Sequence, residues 1–125
     1  MTWYLRLDDL VAVAEELGVR HVRDLGLLDS AASRPRTTIY GEDAYATLDL
    51  KAAVLLESIA RNHALVDGDK RLAWVAVVVF YGLNGCALRA PQDAAYDLVI
   101  AVATGTFDYR EVAERLAGWT SDAPA

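Results

Sequence analysis

Ten consecutive apolar residues, Leu72 to Tyr81, follow directly on the charged string Asp69-Lys70-Arg71. This run constrains the fold more than any other stretch of the chain. A helix that crosses a bilayer needs about 20 apolar residues, so the run must be buried inside a protein core. Asp69 can cap a helix running from Lys70 to about Leu83, with Gly82 and Gly85 to close it. The β-branched triplet Val77-Val78-Val79 also suits a strand, but the length of the element and its cap favour a helix. Because that helix is apolar nearly all round, it is expected to be the central, buried one.

The 125 residues fit one domain, spanning 1–125, and 54% apolar against 24% charged residues is the balance of a packed globular chain. A formal charge of -6 disfavours direct, nonspecific binding to nucleic acid, so any bound phosphate needs a local group of cations. The single Cys86 excludes an internal disulfide and a cysteine-rich zinc site, and reads as a small buried hydrophobe. Arg6, Asp8 and Asp9 interrupt the apolar stretch that a signal peptide would need. The expected location is therefore the cytoplasm, with no membrane partner.

Helical spacing recurs along the rest of the chain. After an extended start at Trp3-Tyr4-Leu5, residues Asp8 to Leu17 place apolar side chains on one face, and Gly18 stops the helix. Gly26 to Ser33 reads as a second helix that Pro35 prevents from continuing, and Arg34 to Gly41 as a loop. A third helix is expected from Glu42 almost to Leu65, with a possible break where Asp49 could cap. Leu48, Ala52, Leu55 and Ile59 would form its apolar stripe, and Lys51, Glu57 and Arg61 its wet side. Cys86 to Ala90 suggests a short extended flap, Pro91 to Gly105 a helix with Ala94, Leu98, Val99 and Val102 inward, and Tyr109 to Trp119 a last helix. The scattered Trp and Tyr residues are assigned to packing, and His21 to the surface. The expected fold class is all-α, a compact bundle of about six helices with at most a small extended flap.

Between the third helix and the apolar one lie a His, two carboxylates, a Gly, a Lys and an Arg within nine residues, His63 to Arg71. A helix amino terminus presents unpaired N–H groups and partial positive charge, which suit a phosphate. Gly68 lets the backbone come close to such a ligand. Lys70 and Arg71 oppose the helix dipole unless an anion is nearby. Asp67 offers a hard oxygen to magnesium, and the imidazole of His63 can accept a hydroxyl proton near neutral pH. On residue chemistry alone, Asp67-Gly68-Asp69 could equally be a turn and cap, with Lys70 and Arg71 a solvated edge.

The string HALVDGDKR resembles the signature of the Fic/Doc family, which runs His, any residue, Phe, any residue, Asp or Glu, Gly or Ala, Asn, Gly or Lys, Arg. Lys70 stands where adenylyl-transferring members carry Gly, as in the Doc branch. Weaker likenesses at Gly26 to Ala31, Ala103-Thr104-Gly105 and Val112-Ala113 extend the resemblance over nearly the whole chain. Leu65 in place of Phe keeps an apolar anchor. Asp69 in place of Asn trades an amide that donates for a carboxylate that only accepts, beside the expected phosphates.

The resemblance implies a toxin of a toxin–antitoxin system that uses ATP and Mg2+ to phosphorylate a threonine of elongation factor Tu and arrest translation. His63 would act as the general base, Asp67 as the metal ligand, and Arg61, Gly68, Asp69, Lys70 and Arg71 as the phosphate and nucleotide site. Transfer of AMP and an inactive, antitoxin-binding member are the alternatives. The inhibitory helix of many Fic proteins has no counterpart string here; Thr38 to Glu42 comes nearest. Control is therefore expected from a separate antitoxin resembling Phd, whose tail would fold into a groove.

Overall fold

In the computed structural model, residues 1–19, 21–65 and 67–122 are described; Arg20, Val66 of the expected loop, and residues 123–125 lie outside them. Three of the helices start where a short polar side chain can take up a free backbone N–H. Asp24 accepts from Leu27 N–H at 3.1 Å to start α2 (Leu25–Ser33), and Thr47 accepts from Leu50 N–H at 3.1 Å to start α3 (Leu48–Asn62). Asp108 accepts from the N–H groups of Arg110 and Glu111 to start α6 (Tyr109–Ala117). The amino-terminal helix α1 (Leu7–Glu16) carries Asp8 and Asp9 in its first turn, where the dipole favours them. Two more helices, α4 (Asp69–Leu83) and α5 (Gln92–Ala103), complete a largely helical fold.

The central helix is α3 rather than α4. Every residue from Lys51 to Ala60 is buried, and α3 packs against α2, α4, α5 and α6. In α4, by contrast, Trp74, Val75, Val78 and Val79 are only partly covered. Small side chains at Ala52, Ala53, Ser58 and Ala60 let four neighbours approach α3, while the bulk of α4 suits a helix covered from fewer sides. Tyr81 joins the two helices. It is 1% exposed and donates its hydroxyl to Asp49 Oδ1 at 2.6 Å; burial, reinforced by that bond, pushes the phenol well above its usual range.

Two residues expected on the wet side of α3 are buried with partners. Lys51, 2% exposed, donates its ammonium to Asp43 Oδ2 at 3.1 Å and to the Tyr45 carbonyl. Glu57 bridges Arg34 at 2.9 Å and Arg61 at 3.4 Å. Buried charge is tolerated there because each ion is paired. The apolar count of a helix face does not reveal such pairing, so the polarity of Lys51 and Glu57 points to solvent when read without their partners.

The segment from Glu42 is not helical, so α3 begins six residues later than expected. Thr38–Ile39 (β1) and Glu42–Asp43 (β2) form an antiparallel hairpin instead, with Thr38 opposite Asp43 and Ile39 opposite Glu42. Its tip, Tyr40-Gly41, takes left-handed backbone angles, φ 51° and 81°, the geometry of a two-residue hairpin turn. A 3-10 turn at Arg34–Arg36 precedes it, where a loop was expected. The expected flap is present as β3 (Cys86–Leu88), but it is paired: β4 (Thr120–Asp122) lies antiparallel to it, with Leu88 opposite Thr120. In α5, Ala95 rather than Ala94 is buried with Leu98, Val99 and Val102. The assignment of all aromatics to packing fails at Trp3, Tyr40 and Tyr96, which are exposed. Among the described residues, no helix is long and apolar enough to cross a membrane.

Candidate active site

His63 closes α3 in the left-handed conformation, φ 53° and ψ 38°. That turn reverses the chain and sends it beneath the connection between α1 and α2. The Ala64 carbonyl accepts from the N–H groups of Arg23 and Asp24, Leu65 forms an antiparallel bridge with Val22, and the Asn62 amide donates to the Leu27 carbonyl. Leu65 is fully buried, as the apolar anchor was expected to be. The imidazole itself is exposed and lines a cavity of about 380 Å³, together with Ala60, Asp67, Gly68, Asp69, Lys70 and Arg71.

The floor of this cavity is the amino end of α4. Its cap position is Gly68, not Asp69, at φ 92°, and no side chain caps the helix. Unlike α2, α3 and α6, and like α5, α4 leaves its first N–H groups without a side-chain cap, and these can meet an anion. A Cβ on Gly68 would stand 2.8 Å from Val19 Cγ2 and 3.4 Å from Arg71 Nη2. Both the left-handed angle and the contact with Val19 therefore exclude a side chain here.

Asp69 is the first residue of α4, and its carboxylate turns back to accept the Leu65 N–H at 3.2 Å. That bond needs only an acceptor oxygen, which an Asn would supply equally, so the exchange of Asn for Asp preserves this tie across the loop. Asp67 is exposed and accepts the Gly68 N–H at 2.9 Å through Oδ1. Among the described residues no three His, Cys, Asp or Glu side chains cluster as a metal cage. A lone exposed carboxylate beside a phosphate cradle fits magnesium, which keeps most of its waters and binds through one or two carboxylates plus phosphate oxygens. It does not fit zinc, which takes three or four protein ligands.

The site therefore brings together His63, Asp67, Gly68, Asp69, Lys70 and Arg71, and leaves out Arg61. The Arg61 guanidinium is turned into the fold: Nε donates to the Val102 carbonyl at 2.7 Å, Nη2 to the Phe107 carbonyl at 3.1 Å, and Nη1 pairs with Glu57. Arg61 is still within α3 and reaches toward α5 and α6, whereas His63 lies beyond the helix in its left-handed turn. Closeness to His63 in sequence thus does not bring Arg61 to the lining of the cavity. A neighbouring feature was missed: Lys70 and Arg71 also line a second hollow with Trp74 and Tyr96. The placement of Trp74 one helical turn after Lys70 was the signal that could have found it.

Residues 4–81 match the sequence profile of the Fic/DOC family. Over 127 aligned positions the chain is 48% identical to a protein named Toxin Doc from Mycolicibacterium smegmatis, and the alignment covers 98% of each chain.

Proposed function

The chain belongs to the Fic/DOC family, and from that premise we propose that it is the toxin of a toxin–antitoxin pair, a transferase that moves the terminal phosphoryl group of ATP to a protein hydroxyl. The observation that carries this reading is the shared cavity, lined by His63, Asp67, Lys70 and Arg71 at the start of α4, which no side chain caps. The name of the relative from Mycolicibacterium smegmatis supports the toxin role. Lys70, in the position where adenylyl-transferring members carry Gly, supports phosphoryl over adenylyl transfer.

In this reading the imidazole of His63 takes the proton of the target hydroxyl as that oxygen attacks the terminal phosphorus. The bond from phosphorus to the ADP oxygen breaks, and ADP departs with the electron pair. The backbone N–H groups at the start of α4 hold phosphate oxygens, and Lys70 and Arg71 neutralise the charge that develops during transfer. Asp67 would hold magnesium, which would supply positive charge to offset that of the phosphates. The target is a threonine of elongation factor Tu, so the outcome is arrest of translation. Restraint comes from an antitoxin resembling Phd, supplied as a separate chain.

The test is to incubate the protein with elongation factor Tu, magnesium and ATP labelled on either the terminal or the innermost phosphate, with His63→Ala as control. Terminal label on the target, lost in the control, is the expected result. Innermost label would establish AMP transfer instead. No label from either would favour an inactive, antitoxin-binding member, the reading that Asp69 keeps open.

A further inference from the structure

A hollow of about 340 Å³ between α5 and α6, with Phe107 and Trp119 in its walls, shares no lining residue with the cavity at His63. We infer that this hollow is a binding site for a free α-amino acid with an apolar side chain. The inference goes beyond the transfer reading and does not depend on it. Ala94, Asp97, Leu98 and Ala101 follow one another at helical spacing, so they share one face of α5. The two alanines on that face leave the space open, and Leu98, 3% exposed, forms its floor. A volume of this size stands at the small end of ligand pockets, which suits a small metabolite.

The charges of the hollow set the chemistry of its occupant. Asp97 from α5 and Arg115 from α6 both line it, and among the described residues neither takes part in a salt bridge. The Arg115 guanidinium lies instead over the Phe107 ring, 4.7 Å from its centre. Stacking uses the flat face of the guanidinium and leaves the N–H groups at its edge available to a carboxylate. The Asp97 carboxylate can in turn accept an ammonium. Two unlike charges that do not neutralise each other, set in a wall of carbon, match a ligand that carries both charges and an apolar body. A free apolar amino acid has that build. The walls are also fixed before a ligand arrives. The Phe107 carbonyl accepts from Arg61 Nη2 at 3.1 Å, and the Trp119 carbonyl accepts the Arg89 N–H at 2.9 Å. The Trp119 indole is braced edge-on by Trp74, ring centres 6.4 Å apart. Such preorganisation lowers the ordering cost of binding.

Calorimetric titration of the whole chain with L-leucine and L-phenylalanine tests this, beside leucine methyl ester, which lacks the carboxylate charge, and isocaproate, which lacks the ammonium. Leucine is expected to bind at least about tenfold more tightly than the ester or isocaproate, since each of these forfeits one charge-assisted contact. Arg115→Gln and Asp97→Asn should weaken leucine by a similar factor, and Ala94→Trp, which fills the hollow, should abolish binding. His63→Ala is expected to bind leucine within about twofold of the native chain, because the two cavities share no residue. Asp97 and Arg115 are exposed, so their variants keep the core intact and decide the matter should Ala94→Trp fail to fold. A native chain that binds neither amino acid would overturn the site, as would equal affinity for leucine, its ester and isocaproate. Native-like binding by folded Arg115→Gln and Asp97→Asn, or loss of binding in His63→Ala, would overturn it as well.

Discussion

At the scale of single residues, His63 is held where its backbone has a penalty. A left-handed conformation crowds Cβ against the carbonyl by about 1–2 kcal/mol in residues other than glycine, and helix ends in this conformation normally recruit Gly or Asn. The strain coincides with the side chain that the transfer reading uses as a base, a pairing typical of functional positions. Comparison of two substitutions separates the two roles. His63→Gly is expected to be more stable than His63→Ala by about 1 kcal/mol in urea unfolding, because only Gly relaxes at φ 53°, while neither variant transfers phosphate. An alanine variant as stable as the glycine one would mean that the turn is not left-handed in solution. That this turn would gather its polar residues around one cavity was legible from residue types, because a His, an Asp, a Gly and two cations within nine residues are an unusual set. Its geometry was not, since Gly68 supplants Asp69 as the cap through a backbone angle that residue identity only permits.

At the scale of elements, α3 and α4 are joined by a buried phenol and a carboxylate. The pKa of Tyr81 is raised in the folded chain, by burial first and then by its bond to Asp49. A folded value above the unfolded one near 10 means that this contribution is complete below pH 10 and declines as pH rises beyond it. Native protein and Tyr81→Phe should thus differ by about 1.5–3 kcal/mol at pH 7, the range for a hydrogen bond to a charged group. That gap should narrow by about 1 kcal/mol between pH 10 and 11, because half of the unfolded phenols are already ionised at pH 10. Paired unfolding curves at both pH values measure it, and a constant gap would refute the assignment. The helices themselves were readable in order and approximate extent, since helical periodicity and stop residues are local signals. The hairpin β1–β2 and the pairing of β3 with β4 were not. Strands of two or three residues carry too little alternation to register, and Leu88 meets Thr120 across a separation of 32 positions that no local pattern encodes.

At the scale of the whole molecule, one carboxylate ties together elements far apart in the chain. Glu57, on the central helix, holds Arg34 from the turn after α2 and Arg61, and Arg61 in turn holds the carbonyls of Val102, in the last turn of α5, and Phe107, just before α6. Arg34 also meets the Tyr45 hydroxyl and lies over the rings of Tyr45 and Tyr109. The network fixes the walls around α3, and the cavity at His63 lies outside it. Arg61 therefore acts on assembly of the fold, whereas its position two residues before the imidazole suggested contact with the nucleotide. The two roles predict opposite behaviour for Arg61→Met, which keeps much of the side-chain volume but removes all three polar contacts. Stability is expected to fall by about 3 kcal/mol, because the buried Glu57 loses one of its two cations and the carbonyls of Val102 and Phe107 lose the guanidinium that ties them to α3. ATP affinity per folded molecule should stay within about twofold of the native value. Urea unfolding and calorimetric titration on the same preparation measure both quantities. A variant that is as stable as the native protein but binds ATP more than tenfold more weakly would return Arg61 to the nucleotide site and undo this division between frame and cavity.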